Sequence, residues 1–394
     1  MSHIRKRFLL NQIIARLKIS PVVAIQGARQ TGKSLLAREL VKEKVKSMSY
    51  RTLDKKSDRD FANSNPDSFL AQVSTNELMV IDEVQKAPDL FDAIKASIDE
   101  DRRPGRFLIL GSTEFSTMQR IRESLTGRMS RVRLYPFSIS ESLKSIKFQD
   151  WNFKRIDQVK QKSFLCTRAQ LMKYLDRGGM PGHFYVREDD VRIQLMRDWL
   201  EMTVQRDLMQ IPKLKLDPDL AFAILEKIAI IDTPSATEIS KNLSIDVKKI
   251  QMHLKALASL FVVTPIEPHL KSTGKTLWLL LDTSFVKLLG GGFKRQLQTW
   301  LLNELLVSNS IRKDPRKINF YRNSKGSMID FVLSEEGLTT AIQVFDHESI
   351  YDRDLNLLRS FGLKFKGSNL LALAGGTQNH PKENLFVRPW EWMG

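Results

Sequence analysis

The sequence predicts an α/β protein whose first 135 residues form a parallel sheet covered by helices. Short apolar runs recur along this part of the chain, and two of them, Leu78–Ile81 and Phe107–Leu110, are apolar throughout. Strands that are buried on both faces of a parallel sheet have this composition. Helical patterns separate the runs, as in successive βαβ units. The five expected strands are Pro21–Gln26, Tyr50–Leu53, Leu78–Ile81, Phe107–Leu110 and Arg131–Leu134.

Three segments with different patterns follow, which agrees with the two to four domains expected for 394 residues at roughly 100–200 residues per domain. Residues 136–216 are mainly helical. Residues 217–281 contain helical stretches and a short turn, and they end in a basic, hairpin-like stretch. Residues 282–394 return to an α/β pattern.

The composition excludes several classes of protein. The hydrophobic fraction of 42% excludes a mainly disordered chain. The single cysteine, Cys166, cannot form an internal disulfide, and six scattered histidines do not form a metal cluster. No apolar run approaches the roughly 18 residues of a membrane span. The basic start, Met1–Arg7, leads into an interrupted apolar stretch and not into a signal-peptide core, so we expect a cytoplasmic protein.

The charge balance is strongly basic. The chain has 62 Lys and Arg residues against 45 Asp and Glu residues, a formal net charge of +17. Such a surplus favours polyanionic partners, nucleic acid before anionic membrane. A solvated basic surface without a partner explains the charge equally well.

The strongest motif is a glycine-rich loop that follows the first strand and opens a helix. It fits the pattern G-x-x-x-x-G-K-S/T, in which backbone N–H groups surround phosphate oxygens. A lysine at this position reaches the β and γ phosphates, and the hydroxyl that follows it ligates Mg²⁺. The alternative is a plain glycine-rich turn. The residues expected to bind nucleotide are Gly27, Ala28, Arg29, Gln30, Thr31, Gly32, Lys33, Ser34 and Leu35.

Two adjacent carboxylates end the third expected strand. Asp82 is expected to hold Mg²⁺ through water, beside the Ser34 hydroxyl as a ligand, and Glu83 to polarise the attacking water. Two acids at the end of a buried apolar strand are costly unless a cation or a reaction needs them. Capping of a following helix is the alternative role.

Two further residues are candidates for assisting the reaction. Ser112 follows the fourth strand, where a polar side chain can contact the γ-phosphate or the water; an ordinary turn is the alternative. Arg128 precedes the fifth strand and can stabilise charge on the transferred phosphoryl group, unless it is a surface arginine.

Together these motifs resemble a group of prokaryotic AAA-type ATPases related to archaeal and signal-transducing ATPases. The resemblance extends over nearly the whole chain. The segments that carry it are Gly27–Ser34, Ile81–Gln85 with Pro88, Leu110–Ser112, Leu125-Thr126-Gly127-Arg128, Gly178–Pro181, Arg206–Leu208, Leu281–Thr283 and Ile329–Val332.

The resemblance implies a P-loop NTPase core, ATP as the nucleotide and Arg128 as a candidate finger acting on a neighbouring chain. It also implies the domain order. An ATPase core at 1–135 would precede a helical lid at 136–216, a winged helix at 217–281 and a restriction-endonuclease-like domain of unknown function at 282–394. Whether Arg128 acts within one chain or between chains stays open, and so does homo-oligomerisation.

A helix-turn-helix pattern lies in residues 235–257. Ser235 can cap a first helix, and Asp246 can cap a second. The core stripe of the second helix is Val247, Ile250, Leu254 and Leu257. Its basic outer face and a wing-like stretch after it predict DNA contacts. Packing against protein is the alternative. The residues expected to contact DNA are Lys248, Lys249, Gln251, Lys255, Lys271 and Lys275.

The C-terminal segment departs from a nuclease pattern. Glu304 and Asp330 are candidate Mg²⁺ ligands, but the strand expected to supply Glu-x-Lys reads Gln343-Val344-Phe345. A carboxamide is a poor ligand for a hard cation, and Phe345 supplies no charge. We expect a domain without nuclease activity.

The sequence thus favours an Mg²⁺-dependent ATPase that binds ATP and, through its winged helix and basic surface, DNA. The alternative is a nucleotide-gated signalling or scaffold ATPase whose C-terminal domains bind protein partners.

Overall fold

The computed structural model describes residues 4–115, 125, 127–144, 153, 166–211, 214–376 and 384–393. They form two compact units. The first comprises the residues up to 135 together with 259–261, and the second comprises 136–258 and 262–394. Thr126, which belongs to one of the motifs above, lies outside the described residues.

Within the described part of the first unit, five parallel strands form one sheet in the order β2-β3-β4-β1-β5. The sheet confirms the predicted P-loop NTPase α/β fold. Every residue of β1, β3 and β4 is buried, as their apolar sequences predict. The strands are β1 (Val22–Gln26), β2 (Met48–Thr52), β3 (Leu78–Asp82), β4 (Phe107–Gly111) and β5 (Met129–Arg133).

Two hydrophobic cores cover the two faces of this sheet, because successive side chains of a strand point to opposite faces. Val23 and Ile25 of β1 belong to one core, and Val22 and Ala24 belong to the other. The helices that pack on the sheet are α1 (Leu9–Leu17), α2 (Lys33–Leu35) with its π-helical continuation Leu36–Val41, α3 (Lys56–Ser64), α4 (Pro66–Ala71) and α5 (Leu90–Glu100).

The described residues of the second unit contain a mixed sheet of seven strands in the order β12-β11-β10-β9-β8-β6-β7. The predicted return to an α/β pattern agrees with this sheet. β6 pairs with β7 and also with β8, so residues on both sides of position 281 share one sheet. The strands are β6 (Val263–Pro268), β7 (Leu277–Leu280), β8 (Lys317–Arg322), β9 (Met328–Glu335), β10 (Leu338–Val344), β11 (Asn369–Ala374) and β12 (Leu385–Pro389).

Helices of the second unit precede the sheet or pack against it. Their bounds are α6 (Ile139–Ser142), α7 (Arg168–Arg177), α8 (Pro181–Phe184), α9 (Asp189–Glu201), α10 (Pro218–Ile230), α11 (Ala236–Leu243), α12 (Val247–Ser259), α13 (Thr283–Leu288), α14 (Phe293–Ile311) and α15 (Asn356–Lys364). Among the described residues, no helix is both long and apolar enough to cross a membrane.

α11 and α12 form a helix-turn-helix. The Ser235 hydroxyl accepts a hydrogen bond from the Glu238 amide at 3.3 Å and caps α11. Ser244 turns the chain in the left-handed region at φ +55°. Asp246 Oδ1 then accepts a hydrogen bond from the Lys248 amide at 2.8 Å at the start of α12. Ile250, Leu254 and Leu257 of the predicted stripe are buried.

Two motifs from different parts of the sequence meet in the second unit. The Gly179 amide donates to Asp282 Oδ2 at 2.7 Å. A Cβ on Gly178 would lie 1.8 Å from Asp282 Oδ1, and Gly178 has φ +73°. The glycine pair and the aspartate therefore serve the packing of α7 against α13.

Candidate nucleotide site

The glycine-rich loop joins β1 to α2 at the carboxyl edge of the sheet. A Cβ on Gly27 would lie 2.3 Å from the Leu134 carbonyl oxygen, so no larger residue fits there without movement of the backbone. Gly32, just before α2, has φ +93°, in the region that glycine adopts without steric cost. Both glycines of the motif are therefore required by the geometry of the loop.

Lys33 is folded back onto this loop. Its side chain is buried, and Nζ donates to the carbonyl oxygens of Gly27 at 2.8 Å and Ala28 at 2.9 Å. Burial lowers the pKa of Lys33 from 10.5 to about 8, while the charges of Glu83 and Asp82 act in the opposite direction. The ammonium group thus lies inside the loop, near both carboxylates of the predicted acid pair.

The predicted metal ligands Ser34 and Asp82 are in direct contact. Ser34 Oγ donates to Asp82 Oδ2 at 2.5 Å. Asp82 ends β3 and is buried. A hydroxyl and a carboxylate are the hard oxygen donors that Mg²⁺ prefers, so this pair fits the predicted ion.

Glu83 belongs to a polar cluster with two neighbours. Ser112 Oγ donates to Glu83 Oε2 at 2.9 Å. Gln85 Nε2 donates to the same carboxylate oxygen and, at 3.1 Å, to Ser112 Oγ. Glu83 has φ +56°, a backbone conformation uncommon for a residue with a side chain and frequent at functional sites. Ser112 thus contacts the predicted general base directly.

Other residues of the predicted loop frame this arrangement. Thr31 is buried and its hydroxyl donates to the Ala28 carbonyl at 2.8 Å. Gln30 is exposed and has φ +60°. Arg29 is half-buried, and Leu35 is 46% exposed.

Two residues that donate hydrogen bonds to the loop and to Asp82 were not predicted from the sequence. Arg7 is buried and donates from NH1 to the Thr31 carbonyl at 2.9 Å and from NH2 to the Tyr135 carbonyl at 2.6 Å. Tyr50, on β2, donates its hydroxyl hydrogen to Asp82 Oδ2. Neither residue belongs to the motifs, and only the adjacency of β2 and β3 could have suggested Tyr50.

Arg128 is not brought to the loop of its own chain. It lies just before β5, and Met129 of β5 is opposite Val22, the first residue of β1. The loop follows the last residue of β1, so about 15 Å of strand separates the two edges at roughly 3.3 Å per residue. Arg128 instead pairs with Asp99, through Nε at 2.8 Å and NH2 at 3.0 Å.

The predicted DNA-contacting residues lie in the second unit. Lys248, Lys249, Gln251 and Lys255 are exposed on α12, opposite its buried stripe. Lys275 is exposed and donates from Nζ to Thr237 Oγ1 of α11 at 3.0 Å.

The wing-like stretch that contains Lys271 is hydrogen-bonded to β8. The His269 amide donates to the Phe320 carbonyl at 2.7 Å, and the Thr273 amide donates to the Arg322 carbonyl at 3.0 Å. Lys271 Nζ lies 5.4 Å from the centroid of the Phe365 ring. The stretch is therefore attached to the large sheet.

The two candidate nuclease carboxylates have separate structural partners. Glu304 Oε1 accepts hydrogen bonds from the Ile139 amide at 2.7 Å and from Trp300 Nε1 at 3.2 Å. Burial raises the pKa of Glu304 to about 8. Asp330 accepts from Gln298 at 2.6 Å, Gln343 at 2.9 Å and the Val344 amide at 2.7 Å. Among the described residues, no group of three or more His, Cys, Asp or Glu side chains could hold a metal ion.

Comparison with known families supports the interpretation of the first part of the chain. Residues 20–143 match a family described as "AAA domain", and residues 168–278 match one described as "Domain of unknown function (DUF8612)". The first match supports assignment of this region to an AAA-type ATPase family, as its motifs suggested. The winged helix and the nuclease-like domain remain predictions.

Similar proteins and solved structures were also found. Two curated relatives, uncharacterized proteins of Mycobacterium bovis and Mycobacterium tuberculosis, are each 26% identical over 278 residues, covering 69% of this chain and 55% of each relative. The chain thus spans about half the length of the curated relatives it matches. A Walker-type ATPase of Pyrococcus abyssi covers 71% of this chain and 94% of its own, at 15% identity and a TM-score of 0.45. The RuvB Holliday junction branch migration motor of Thermotoga maritima covers 68% and 88%, at 15% identity and a TM-score of 0.29.

Proposed function

We propose that this protein is an Mg²⁺-dependent ATPase whose nucleotide site is formed by Lys33, Ser34, Asp82 and Glu83, and that ATP binding is coupled to DNA binding by the second unit. The observation that carries the ATPase proposal is the 2.5 Å contact between Ser34 and Asp82, with Lys33 and Glu83 at the same edge of the sheet. The choice of ATP as the nucleotide rests on the match of residues 20–143 to the AAA domain family.

Each residue has a defined task in this proposal. The Lys33 ammonium exchanges the carbonyl oxygens of Gly27 and Ala28 for phosphate oxygens when ATP enters. Ser34 and Asp82 would hold Mg²⁺, which neutralises charge on the β and γ phosphates. The loop amides and the positive end of the helix dipole orient the phosphates.

Glu83 acts on the water in this proposal. Its Oε2 accepts from Ser112 and Gln85, and within the described residues no hydrogen-bond partner of Oε1 is found. Oε1 can therefore accept the proton of the attacking water. Ser112 keeps the carboxylate oriented for that transfer.

ATP turnover with and without Mg²⁺ tests the ATPase proposal. We expect Lys33→Ala to lose nucleotide binding, and Glu83→Gln to bind ATP while turnover falls by about 10²–10⁴-fold, the usual contribution of a general base. Gln has nearly the shape of Glu, so it keeps the contacts with Ser112. Normal hydrolysis by Lys33→Ala would refute the assigned site.

The DNA proposal rests on the exposed basic face of α12, which carries Lys248, Lys249, Gln251 and Lys255, and on the net charge of +17. In this proposal the lysines contact phosphates and Gln251 contacts a base edge. Lys271 and Lys275 supply further phosphate contacts beside the helix-turn-helix. A winged helix at 217–281, preceded by a helical lid at 136–216 and followed by a nuclease-like domain without nuclease activity at 282–394, is the domain order we propose.

A gel-shift experiment with duplex DNA at several salt concentrations, with and without ATP, tests this part. Replacing both Lys248 and Lys249 by alanine should weaken DNA binding. It should also reduce the slope of the logarithm of the binding constant against the logarithm of the salt concentration, by the amount expected for the loss of about two phosphate contacts. Lys313→Ala in the same unit is the control, because Lys313 is also exposed and lies outside the proposed surface. Equal effects of the two variants would contradict the assigned surface.

One observation is equally compatible with a second function, that of a nucleotide-gated signalling or scaffold ATPase. The stretch with Lys271 is hydrogen-bonded to β8, which is the arrangement of a packing module as much as of a DNA-binding wing. No shift of duplex DNA near physiological salt, with intact ATP turnover, would favour this function.

A further inference from the structure

A tyrosine outside the sequence motifs fixes the aspartate of the candidate metal site. Tyr50 donates its hydroxyl hydrogen to Asp82 Oδ2, the oxygen that also accepts from Ser34 Oγ at 2.5 Å. Asp82 Oδ1 accepts from the Glu83 amide at 2.9 Å. Since a carboxylate otherwise rotates with little preference about its last bond, these three donors set the direction in which Asp82 presents its oxygens.

Tyr50 is itself held in place. It lies in the middle of β2, opposite Val80 of the parallel strand β3. The guanidinium carbon of Arg38, from the helix that follows the glycine-rich loop, lies 5.3 Å from the centroid of its ring. The phenol is the donor in its hydrogen bond with Asp82, because an ionised carboxylate can only accept.

Two hydroxyl groups donate to Asp82 Oδ2, and they differ in whether they are proposed metal ligands. The oxygen of Ser34 is itself a proposed ligand, so a bound ion would engage this hydroxyl as well as Asp82. The phenol of Tyr50 is not one of the proposed ligands, and its hydrogen is donated to Asp82. This hydrogen bond is the contact that can hold Asp82 in position before and after the ion binds.

We propose that Tyr50 is a positioning residue that orients Asp82 for Mg²⁺ and thereby raises the affinity of the site for the metal–nucleotide complex. This inference rests on the proposed ATPase function. Partners that orient a metal ligand typically contribute about 10–100-fold in metal affinity or activity when they are removed. The expected gain lies in metal binding and not in binding of the free nucleotide, since Tyr50 donates its hydroxyl hydrogen to Asp82, a proposed metal ligand.

The test compares Tyr50→Phe with the wild type in calorimetric titrations of the full-length protein with a non-hydrolysable ATP analogue. Titrations in EDTA give the affinity for the free nucleotide, and titrations at increasing Mg²⁺ give the concentration at half-saturation. We expect the EDTA affinity to stay within twofold, while the Mg²⁺ half-saturation concentration rises about tenfold.

Ser47→Ala is the matched control. Ser47 and Glu77 directly precede β2 and β3, and Ser47 Oγ donates to Glu77 Oε1 at 2.8 Å. This variant therefore also removes a hydroxyl–carboxylate hydrogen bond, at the other end of the same strand pair. We expect it to leave the Mg²⁺ half-saturation concentration unchanged.

Three results would overturn the inference: an unchanged Mg²⁺ dependence in Tyr50→Phe, an equal loss of affinity with and without Mg²⁺, or the same shift in Ser47→Ala. Failure of the proposed function is distinguishable, because the wild type and Lys33→Ala would then both fail to bind the analogue in any condition. That outcome would remove the basis of the inference as well.

Discussion

Binding of ATP to Lys33 should take up a proton near pH 8. In the free protein, burial lowers the pKa of Lys33 to about 8. A bound triphosphate places negative charge beside Nζ, which favours the charged form and raises the pKa again. Nucleotide binding is therefore linked to protonation of Lys33 in the range above pH 8.

The sign and size of the effect follow from linkage. Below pH 7 the free lysine is almost fully protonated, so affinity for ATP does not depend on its titration. At pH 8 about half of the free protein must gain a proton. Above that pH the dissociation constant should rise about tenfold per pH unit, or about 1.4 kcal/mol.

Calorimetry in buffers of different ionisation enthalpy measures this proton directly. We expect the uptake to rise from near zero at about pH 7 toward one proton at about pH 9. Lys33→Arg is the control, because a guanidinium stays protonated throughout this range. Its affinity should be independent of pH even if it is weaker.

An ATP affinity of the wild type that is flat between these pH values would refute the assigned environment of Lys33. The same conclusion follows if Lys33→Arg shows the full pH dependence, since another group would then be responsible.

Three further predictions concern other parts of the chain. Gly27→Ala should lose ATP binding measured by calorimetry, because its Cβ would lie 2.3 Å from the Leu134 carbonyl oxygen; wild-type affinity would contradict the loop geometry. Glu304 has a pKa raised to about 8, so the folded protein holds more protons than the unfolded chain between the ordinary pKa of 4.5 and 8, and the free energy of unfolding should fall as pH rises through this range. Glu304→Gln should reduce that slope in denaturant titrations, and an unchanged slope would show that Glu304 titrates normally. Arg128→Ala should leave turnover unchanged at protein concentrations where the chain is monomeric, because Arg128 lies at the opposite edge of the sheet, paired with Asp99; a loss of activity there would contradict this geometry, whereas a loss seen only at high concentration would indicate action on a neighbouring chain.

Much of the fold of the first unit could be predicted from apolar runs. β1, β3 and β4 lie within one residue of the expected bounds, because their residues are buried on both faces. β2 and β5 begin earlier than expected, at Met48 and Met129. Their first residues are only partly buried, so the apolar pattern that marks a central strand is weak there.

The shared position of the loop and the acid pair could be predicted from the sequence, because parallel strands bring their carboxyl ends to one edge of the sheet. That rule alone predicts that Lys33 and Asp82 share an edge. It also implies that Arg128, which precedes a strand, lies at the other edge, and this consequence was missed. The spacing of residues along the sequence could not predict the contact of Ser112 with Glu83, because this contact depends on the left-handed backbone conformation of Glu83.

The sequence by itself determined the kind of chemistry, since the glycines, lysine, hydroxyl and acids of a phosphate site lie at short, fixed spacings along the chain. Only the tertiary structure decided which side chains hold those groups. Arg7 and Tyr50 come from segments that no local pattern links to the site, and they reach it because α1 and β2 pack where the sheet order places them. Strand order follows from burial of whole surfaces, which depends on the entire chain and not on neighbouring residues.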